Sequence, residues 1–433
     1  MPRALYSLVF GLLLPPILLY FLWCSLREPA YRRGWAERFG FVPAPLPGGL
    51  WLHAASVGEV QAARPLVESL LGRYPQYVLT VSCITPAGAQ CARELWAGRV
   101  TVCYLPFDTP GAVARFLARV QPRLALVLET EIWPNLYAAC AARGIPLLIV
   151  SARLSEAALA RFSRFPGAGL LRRTLQPVAA VLAQSEADAE RYRRAGAPAA
   201  RVEVIGNLKF DHRPDPALPE HAQVLREDWG ATRPVWIAAS THEGEEAVVL
   251  DAHARLRQRL PDLLLVLAPR HPQRFERVAE LCAAAGFVTA RRSRGEIGDP
   301  GTAVVLVDTI GELNLFYAAA DVAFVGGSLV PVGGHNLLEP AALGLPILVG
   351  PHMHNQSEMT ELLRAAGAAR QVADVYALVQ AVDECLESPA LRHQAGAAAR
   401  HVMERNRGSL ARVLARVAAL LEAPASPAGA AGA

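Results

Sequence analysis

A chain of 433 residues is too long for one ordinary core, so two domains with additions are expected. With 52% hydrophobic and 19% charged residues it is neither disordered nor fibrous, and a net charge of +4 without a dense Lys/Arg tract argues against nucleic acid as a partner. The mean hydropathy of +0.23 is high for a soluble enzyme and points toward contact with lipid.

The first element supports that. Between Arg3 and Arg27 runs "ALYSLVFGLLLPPILLYFLWCSL", uncharged and long enough to cross a bilayer as a helix. Pro15 and Pro16 would kink it without excluding a span. A cleaved signal peptide is the alternative, but no short polar region with small residues precedes a mature chain. Arg27, Arg32, Arg33 and Arg38 follow the run against Arg3 before it, so the positive-inside tendency keeps the bulk of the chain cytoplasmic. Residues 1–26 are therefore read as an uncleaved membrane anchor, spanning or lying on the membrane face.

From Gly49 to Asp211 short apolar runs alternate with helical segments. The runs are "LWLHAA", "YVLTVSC", "VTVCYLPF", "LALVLE", "IPLLIVSA", "VAAVLAQ" and "VEVIGN", Val/Ile/Leu-rich as buried parallel strands are. Helices are predicted near 59–72, 110–119, 133–143 and 186–195 between them. "FDHRPDPALPEH" is proline-rich and polar and reads as a linker. A second alternation follows in "VWIAAS", "LLLVLAP", "AVVLVD", "VAFVGGS" and "PILVGP". The fold class is thus α/β, with two Rossmann-like domains over 27–211 and 212–422 and a cleft expected where they face. Residues 423–433, "APASPAGAAGA", read as a disordered tail. The cysteines Cys24, Cys83, Cys91, Cys103, Cys140, Cys282 and Cys385 are scattered with no CxxC pair, which fits a reducing compartment and offers no zinc site.

The strand ends carry the chemistry. "SVGE" puts Glu59 at a helix start, where a carboxylate is either a favourable charge on the dipole or a proton acceptor. "ETEIWPN" supplies Glu129 and "GNLK" supplies Lys209. "SAR", "STHE" and "PRH" end further strands, and Arg270 is matched to phosphate oxygens unless it is an ordinary surface ion pair. "DTIGEL" sets Gly311 and Glu312 at a helix start, or is a plain turn. "GGHNLLEPA" joins two glycines to a helix start suited to phosphate, with Glu339 one turn on for ribose hydroxyls; the alternative is a cap with a surface glutamate. "SARLSEAALARFSRFPGAGLLRRT" mixes Arg153, Arg161, Arg164, Arg172 and Arg173 with apolar and aromatic residues, which suits an anionic membrane surface or the phosphates of a lipid acceptor; the alternative is an amphipathic helix packed on the sheet with a solvated basic face.

In order along the chain, "HAASVGE", "ETEIWPN", "GNLKFD", "STHEGEE", "PRHPQR", "DTIGEL" and "FVGGSLVPVGGHNLLEPA" closely resemble the 3-deoxy-D-manno-octulosonic acid (Kdo) transferases of lipopolysaccharide synthesis. The resemblance runs to about residue 410. It implies the two-domain GT-B glycosyltransferase architecture and inverting transfer of Kdo from CMP-Kdo to the lipid A precursor at the cytoplasmic face of the inner membrane. It implies Glu59 as the general base, with Glu129 and Lys209 stabilising the transition state. It further implies CMP binding by Pro269 and Arg270, by Ile310, Gly311 and Glu312, and by Asn336, Leu337, Leu338 and Glu339; His335 and Ser240 are plausible neighbours. No DxD pair occurs, in keeping with a CMP donor, so neither a cofactor nor a metal is expected. Another GT-B-shaped enzyme such as a nucleotide-sugar epimerase, or a membrane-bound scaffold without catalysis, stays open as an alternative. The acyl preference of the acceptor, the number of Kdo units added and the oligomeric state are not written in the sequence.

Overall fold

Two seven-stranded parallel sheets organise the chain in a computed structural model, which describes residues 2–42, 48–163, 167–211 and 214–422. The first sheet contains β1 (Leu50–His53), β2 (Leu79–Cys83), β3 (Thr101–Tyr104), β4 (Leu124–Leu128), β5 (Leu147–Ala152), β6 (Ala180–Ala183) and β7 (Val202–Val204). Their spatial order is β3-β2-β1-β4-β5-β6-β7. The chain works outward from β1 in one direction and then in the other from β4, so the topological switch point lies between β1 and β4. Leu50 pairs with Leu79 on one side and Leu124 on the other. Both strands are buried throughout, and the pleat sends Trp51, Ala125 and Val127 into one core and Leu50, Leu52, Leu124 and Leu126 into the other. The buried Trp51 indole donates to Ser82 Oγ at 2.9 Å, so the large apolar ring leaves no orphaned N–H.

The second sheet contains β8 (Val235–Thr241), β9 (Leu264–Pro269), β10 (Thr289–Arg291), β11 (Val304–Leu306), β12 (Val322–Val325), β13 (Ile347–Val349) and β14 (Ala369–Gln371), in the order β10-β11-β9-β8-β12-β13-β14. Its switch point falls between β8 and β12. Edge strands β10 and β14 have no counterpart in the apolar runs of the sequence. "TAR" and "ARQ" are three residues each, and β14 is largely exposed, so neither needs the buried aliphatic run that marks a central strand.

The chain divides into a compact unit of Met1–Asp211 with Asn406–Ala433, and a second of His212–Arg405. The expected second domain, 212–422, is corrected at its end. Helix Ser409–Glu422 returns to the first unit, where Val413, Leu414 and Val417 join the core beneath β1 and β4. Asp211 fastens its start by accepting from the backbone N–H of Gly408 and Leu410, each at 2.8 Å. The expected linker also proves shorter. Helix Leu218–Trp229 begins inside it because Pro219 occupies the first turn, where its missing N–H costs nothing. Residues 212–213 of that linker, Arg164 of the basic segment and the predicted tail 423–433 lie outside the described residues.

Helix Arg3–Arg27 continues through Pro15 and Pro16, and its span Arg3–Leu26 is long and apolar enough to cross a membrane, with a mean hydropathy of 2.1.

Candidate functional site

Parallel strands deliver every carboxyl end of a sheet to one rim. On the first rim β1 runs into Ala54-Ala55-Ser56 and helix Val57–Arg73. Ser56 caps that helix, its Oγ accepting weakly from the Glu59 N–H at 3.5 Å. The Glu59 side chain turns back, and Oε2 accepts from the Ala55 N–H at 2.7 Å. This reciprocal arrangement is a capping box displaced by one residue. The cap fixes the carboxylate's direction and leaves its chemistry open. Burial, reinforced by the nearby charges of Glu129 and Glu131, outweighs the Ala55 hydrogen bond and raises the Glu59 carboxyl to about 7. A carboxylate poised there can accept a proton from an alcohol near neutral pH.

Across the switch point, β4 ends at Glu129 in a left-handed backbone with φ 52°. A non-glycine residue in that region is strained and is held by its surroundings. Here the buried Tyr192 hydroxyl donates to the Glu129 carbonyl at 3.1 Å. The Glu129 carboxylate receives Lys209 Nζ at 3.0 Å. Lys209 stands on the turn Leu208–Asp211 beyond β7, steadied by its own N–H to Asn207 Oδ1 at 3.0 Å. Glu59, Glu129 and Lys209 are therefore gathered on one rim.

Glu131 is a carboxylate that sequence reasoning left without a role. Its Oε2 accepts from the Trp133 indole at 2.8 Å and lies 3.7 Å from Nε2 of the buried His53. Although burial pushes the Glu131 carboxyl up, His53 and Trp133 hold it below the ordinary range. Three carboxylates thus crowd the rim: Lys209 pairs with Glu129 and His53 lies beside Glu131, while among the described residues Glu59 makes no ion pair. The i+2 spacing in "ETE", which turns the two glutamates to different surroundings, was the available signal.

On the second rim, four loops follow the carboxyl ends of their strands. His242 follows β8, Arg270 and His271 follow β9, Ile310–Glu312 follow β11, and Gly326–Glu339 follow β12. His242 Nε2 lies 2.7 Å from His335 Nε2 with the rings stacked at 7°, and His271 meets His242 edge-on. Gly327 has φ 67°, and a Cβ there would stand 2.9 Å from the His335 ring, so the loop requires glycine. Buried Glu245 ties the loops together. It accepts from the N–H groups of His242, Gly327, Ser328 and Leu329 at 2.6–2.9 Å. It too was missed, as one acid among three in "HEGEE". Burial drives the His335 imidazole down to about 4, with Arg270, His242 and His271 adding to the effect.

The predicted donor-binding residues divide by what they expose. Pro269 ends β9 with its side chain packed, while Arg270 is exposed and its backbone N–H donates to the Thr241 carbonyl at 3.0 Å. Ile310 is 80% exposed, and Gly311 has φ 94° with open space around it. The Glu312 carboxylate is already engaged by Arg292 at 2.7 Å, which holds it below the usual range, so this segment has backbone rather than charge to offer. Leu337 and Leu338 are buried, backbone included. Asn336 Oδ1 accepts from the Leu338 N–H, and its amide donates to Glu339 Oε1 at 3.1 Å. Burial raises the Glu339 carboxyl against the opposing charge of Arg270. Ser240, held at φ 56°, lies at a register shift in β8 beside this rim.

A profile of the family described as "3-Deoxy-D-manno-octulosonic-acid transferase (kdotransferase)" matches residues 33–212. The 3-deoxy-D-manno-octulosonic acid transferase of Haemophilus influenzae is 39% identical over 95% of this chain and 97% of its own. That of Bordetella pertussis is 41% identical over 96% and 98%. Among solved structures, UDP-GlcNAc 2-epimerase from Neisseria meningitidis bound to UDP-GlcNAc superimposes with a TM-score of 0.57 at 14% identity, covering 86% of this chain and all of that one. At that identity the likeness shows a shared fold.

Proposed function

The chain belongs to the 3-deoxy-D-manno-octulosonic acid transferase family and is a glycosyltransferase of GT-B architecture; we propose that it moves Kdo from CMP-Kdo to the lipid A precursor, with inversion, at the cytoplasmic face of the inner membrane. Glu59 carries the reading, because a rim carboxylate raised to about 7 and, among the described residues, in no ion pair suits a general base.

In this reading Glu59 takes the proton of an acceptor hydroxyl as its oxygen bonds to the anomeric carbon of Kdo. The bond from that carbon to the phosphate oxygen breaks on the opposite face, and CMP leaves with the electron pair. Lys209, held by Glu129, supplies positive charge on the acceptor rim, and Arg270 supplies it to the departing phosphate. The segments Ile310–Glu312 and Asn336–Glu339 are assigned to the nucleotide. A monophosphate held this way needs no metal in the proposed reaction. The exposed apolar helix Arg3–Arg27 and the exposed arginines Arg153, Arg161, Arg172 and Arg173 support a lipid-bound acceptor.

Incubating purified full-length protein with CMP-Kdo and the tetra-acylated precursor, then weighing the lipid by mass spectrometry, tests the reading. The product is expected to gain the mass of one or more Kdo residues. An unchanged lipid with CMP-Kdo consumed or epimerised would overturn it.

A further inference from the structure

The N-terminal helix is apolar on every side, yet its surroundings are not uniform. Leu5, Leu8, Leu12, Leu19, Trp23 and Leu26 are exposed, several by more than half of their surface. Phe10, Leu14, Ile17, Phe21 and Ser25, at the complementary helical spacing, are partly or fully covered. The covered stripe runs the length of the helix. Near one end Ser7 Oγ bonds to Asn135 Oδ1 at 2.9 Å. Near the other, the Phe21 ring packs edge-on against Phe107 at 5.9 Å and beneath the Arg38 guanidinium at 4.7 Å. At about 1.5 Å per residue these anchor points are ~21 Å apart along the axis, so the helix lies flush against the first unit.

The partners locate it. Phe107 and Asp108 follow the carboxyl end of β3, and Asn135 follows that of β4, with its N–H donating to Asp108 Oδ2 at 2.9 Å. The helix therefore lies across the same rim that carries Glu59 and Glu129. Were it to cross a bilayer in this position, Arg38, Asp108 and Asn135 would enter hydrocarbon with it, at high cost. With the covered stripe on the protein, only the opposite face is left for lipid, so the helix needs no polar face of its own. Arg3 at one end and Arg32 and Arg33 just past the other are exposed, as are Tyr20 and Trp23. Such residues prefer headgroup level, and their placement suits both ends resting at the same depth on an anionic leaflet.

We propose that this helix does not span the membrane: it lies in the plane of one leaflet, strapped along the carboxyl-edge rim of the first sheet, and brings Glu59 and Glu129 down to the headgroups. The proposal rests on the membrane-bound part of the function proposed above and not on its chemistry. It supplies a reason for the strap, because the reacting hydroxyl of a lipid sits at headgroup height.

Depth measurement tests it. Full-length protein with Cys24 and Cys91, its two partly exposed cysteines, changed to serine would carry a nitroxide at Leu5→Cys, Leu12→Cys or Leu19→Cys in phosphatidylethanolamine–phosphatidylglycerol vesicles. All three positions are exposed, so labels there leave the packing intact. The expected result is three equal, shallow depths from the relative accessibility to oxygen and a nickel chelate. Labels whose depths differ by ~10 Å for each seven residues would show a spanning helix and overturn the proposal. Labels that remain in water would overturn it equally. Equal shallow depths in a preparation that transfers no Kdo would uphold the strap and count against the transfer chemistry alone.

Discussion

Lys209 Nζ lies 3.0 Å from Glu129 Oε1, and the same Glu129 holds a left-handed backbone whose carbonyl is tied to Tyr192. The ammonium offsets a negative charge that already raises the neighbouring Glu59 carboxyl. Lys209→Ala is therefore expected to do two things. It removes positive charge from the rim, lowering kcat roughly 10²–10³-fold. It also exposes Glu59 to the full Glu129 charge, moving the acid limb of the pH–rate profile upward. Lys209→Arg should recover the limb more than the rate, since its planar fork keeps the charge in a different shape. An acid limb that stays in place in the alanine variant would show that the pair does not act on Glu59.

Glu59 serves the helix and the reaction in conflicting ways. The amide of Glu59→Gln can still accept from Ala55, so the cap survives while the base is lost. Transfer should fall about 10²–10⁴-fold. Stability should move the other way. The folded-state value of about 7 lies above the ordinary 4.5, so the folded state holds its proton more tightly and loses stability as pH rises through that window. Relative to wild type, Glu59→Gln should be equally stable near pH 4 and more stable at pH 8. The gain is about 1–2 kcal/mol after discounting for partial exposure, or roughly 2–6 °C in Tm. Calorimetric scans at the two pH values check this, and a variant less stable at pH 8 would place the main role of Glu59 in capping.

The central strands were legible because burial on both faces demands aliphatic runs such as "LALVLE", and the rims were legible because polar residues gather where those runs stop. What escaped notice obeys other constraints. β10 and β14 are held by a neighbour on one side only and can be polar. The return of Ser409–Glu422 to the first unit is a long-range event, fixed by Asp211 about 200 residues earlier. Glu245 acts through four backbone N–H groups that no spacing announces, and the "ETE" spacing that separates Glu131 from Glu129 does not name its partner, the buried His53. Glu312 and Leu338 show the converse. The motif marks their positions, while the structure shows that one carboxylate is spent on Arg292 and one side chain is buried.

Arg270 is exposed and, among the described residues, makes no ion pair, although its charge reaches both Glu339 and His335. An unpaired guanidinium on a rim of backbone donors is available for a phosphate. Arg270→Ala is expected to weaken CMP binding by about 10–100-fold, the range for a hydrogen bond to a charged group, with the fold unchanged. Arg270→Lys should restore part of that. Titration calorimetry of CMP on the three proteins decides it, and equal affinities would exclude Arg270 from the donor pocket.

The imidazoles of His242 and His335 are close enough that one Nε2 must donate and the other accept, so the two facing nitrogens cannot both carry a proton. Burial lowers both, and it is abetted by Arg270 and His271, which face the two rings, and by Arg274, which faces His242; the Glu245 carboxylate opposes at His242. An incoming phosphate adds negative charge against these cations and favours a proton on the dyad. Between about pH 4, where His335 now stands, and its ordinary 6.5, CMP binding should therefore take up protons. Calorimetry at pH 5.5 in two buffers of different ionisation enthalpy would show this as a difference in observed heat, absent at pH 8 and much reduced in His335→Asn. Identical heats in both buffers at pH 5.5 would mean that the dyad stays neutral and that the phosphate is held by Arg270 and backbone N–H groups without it.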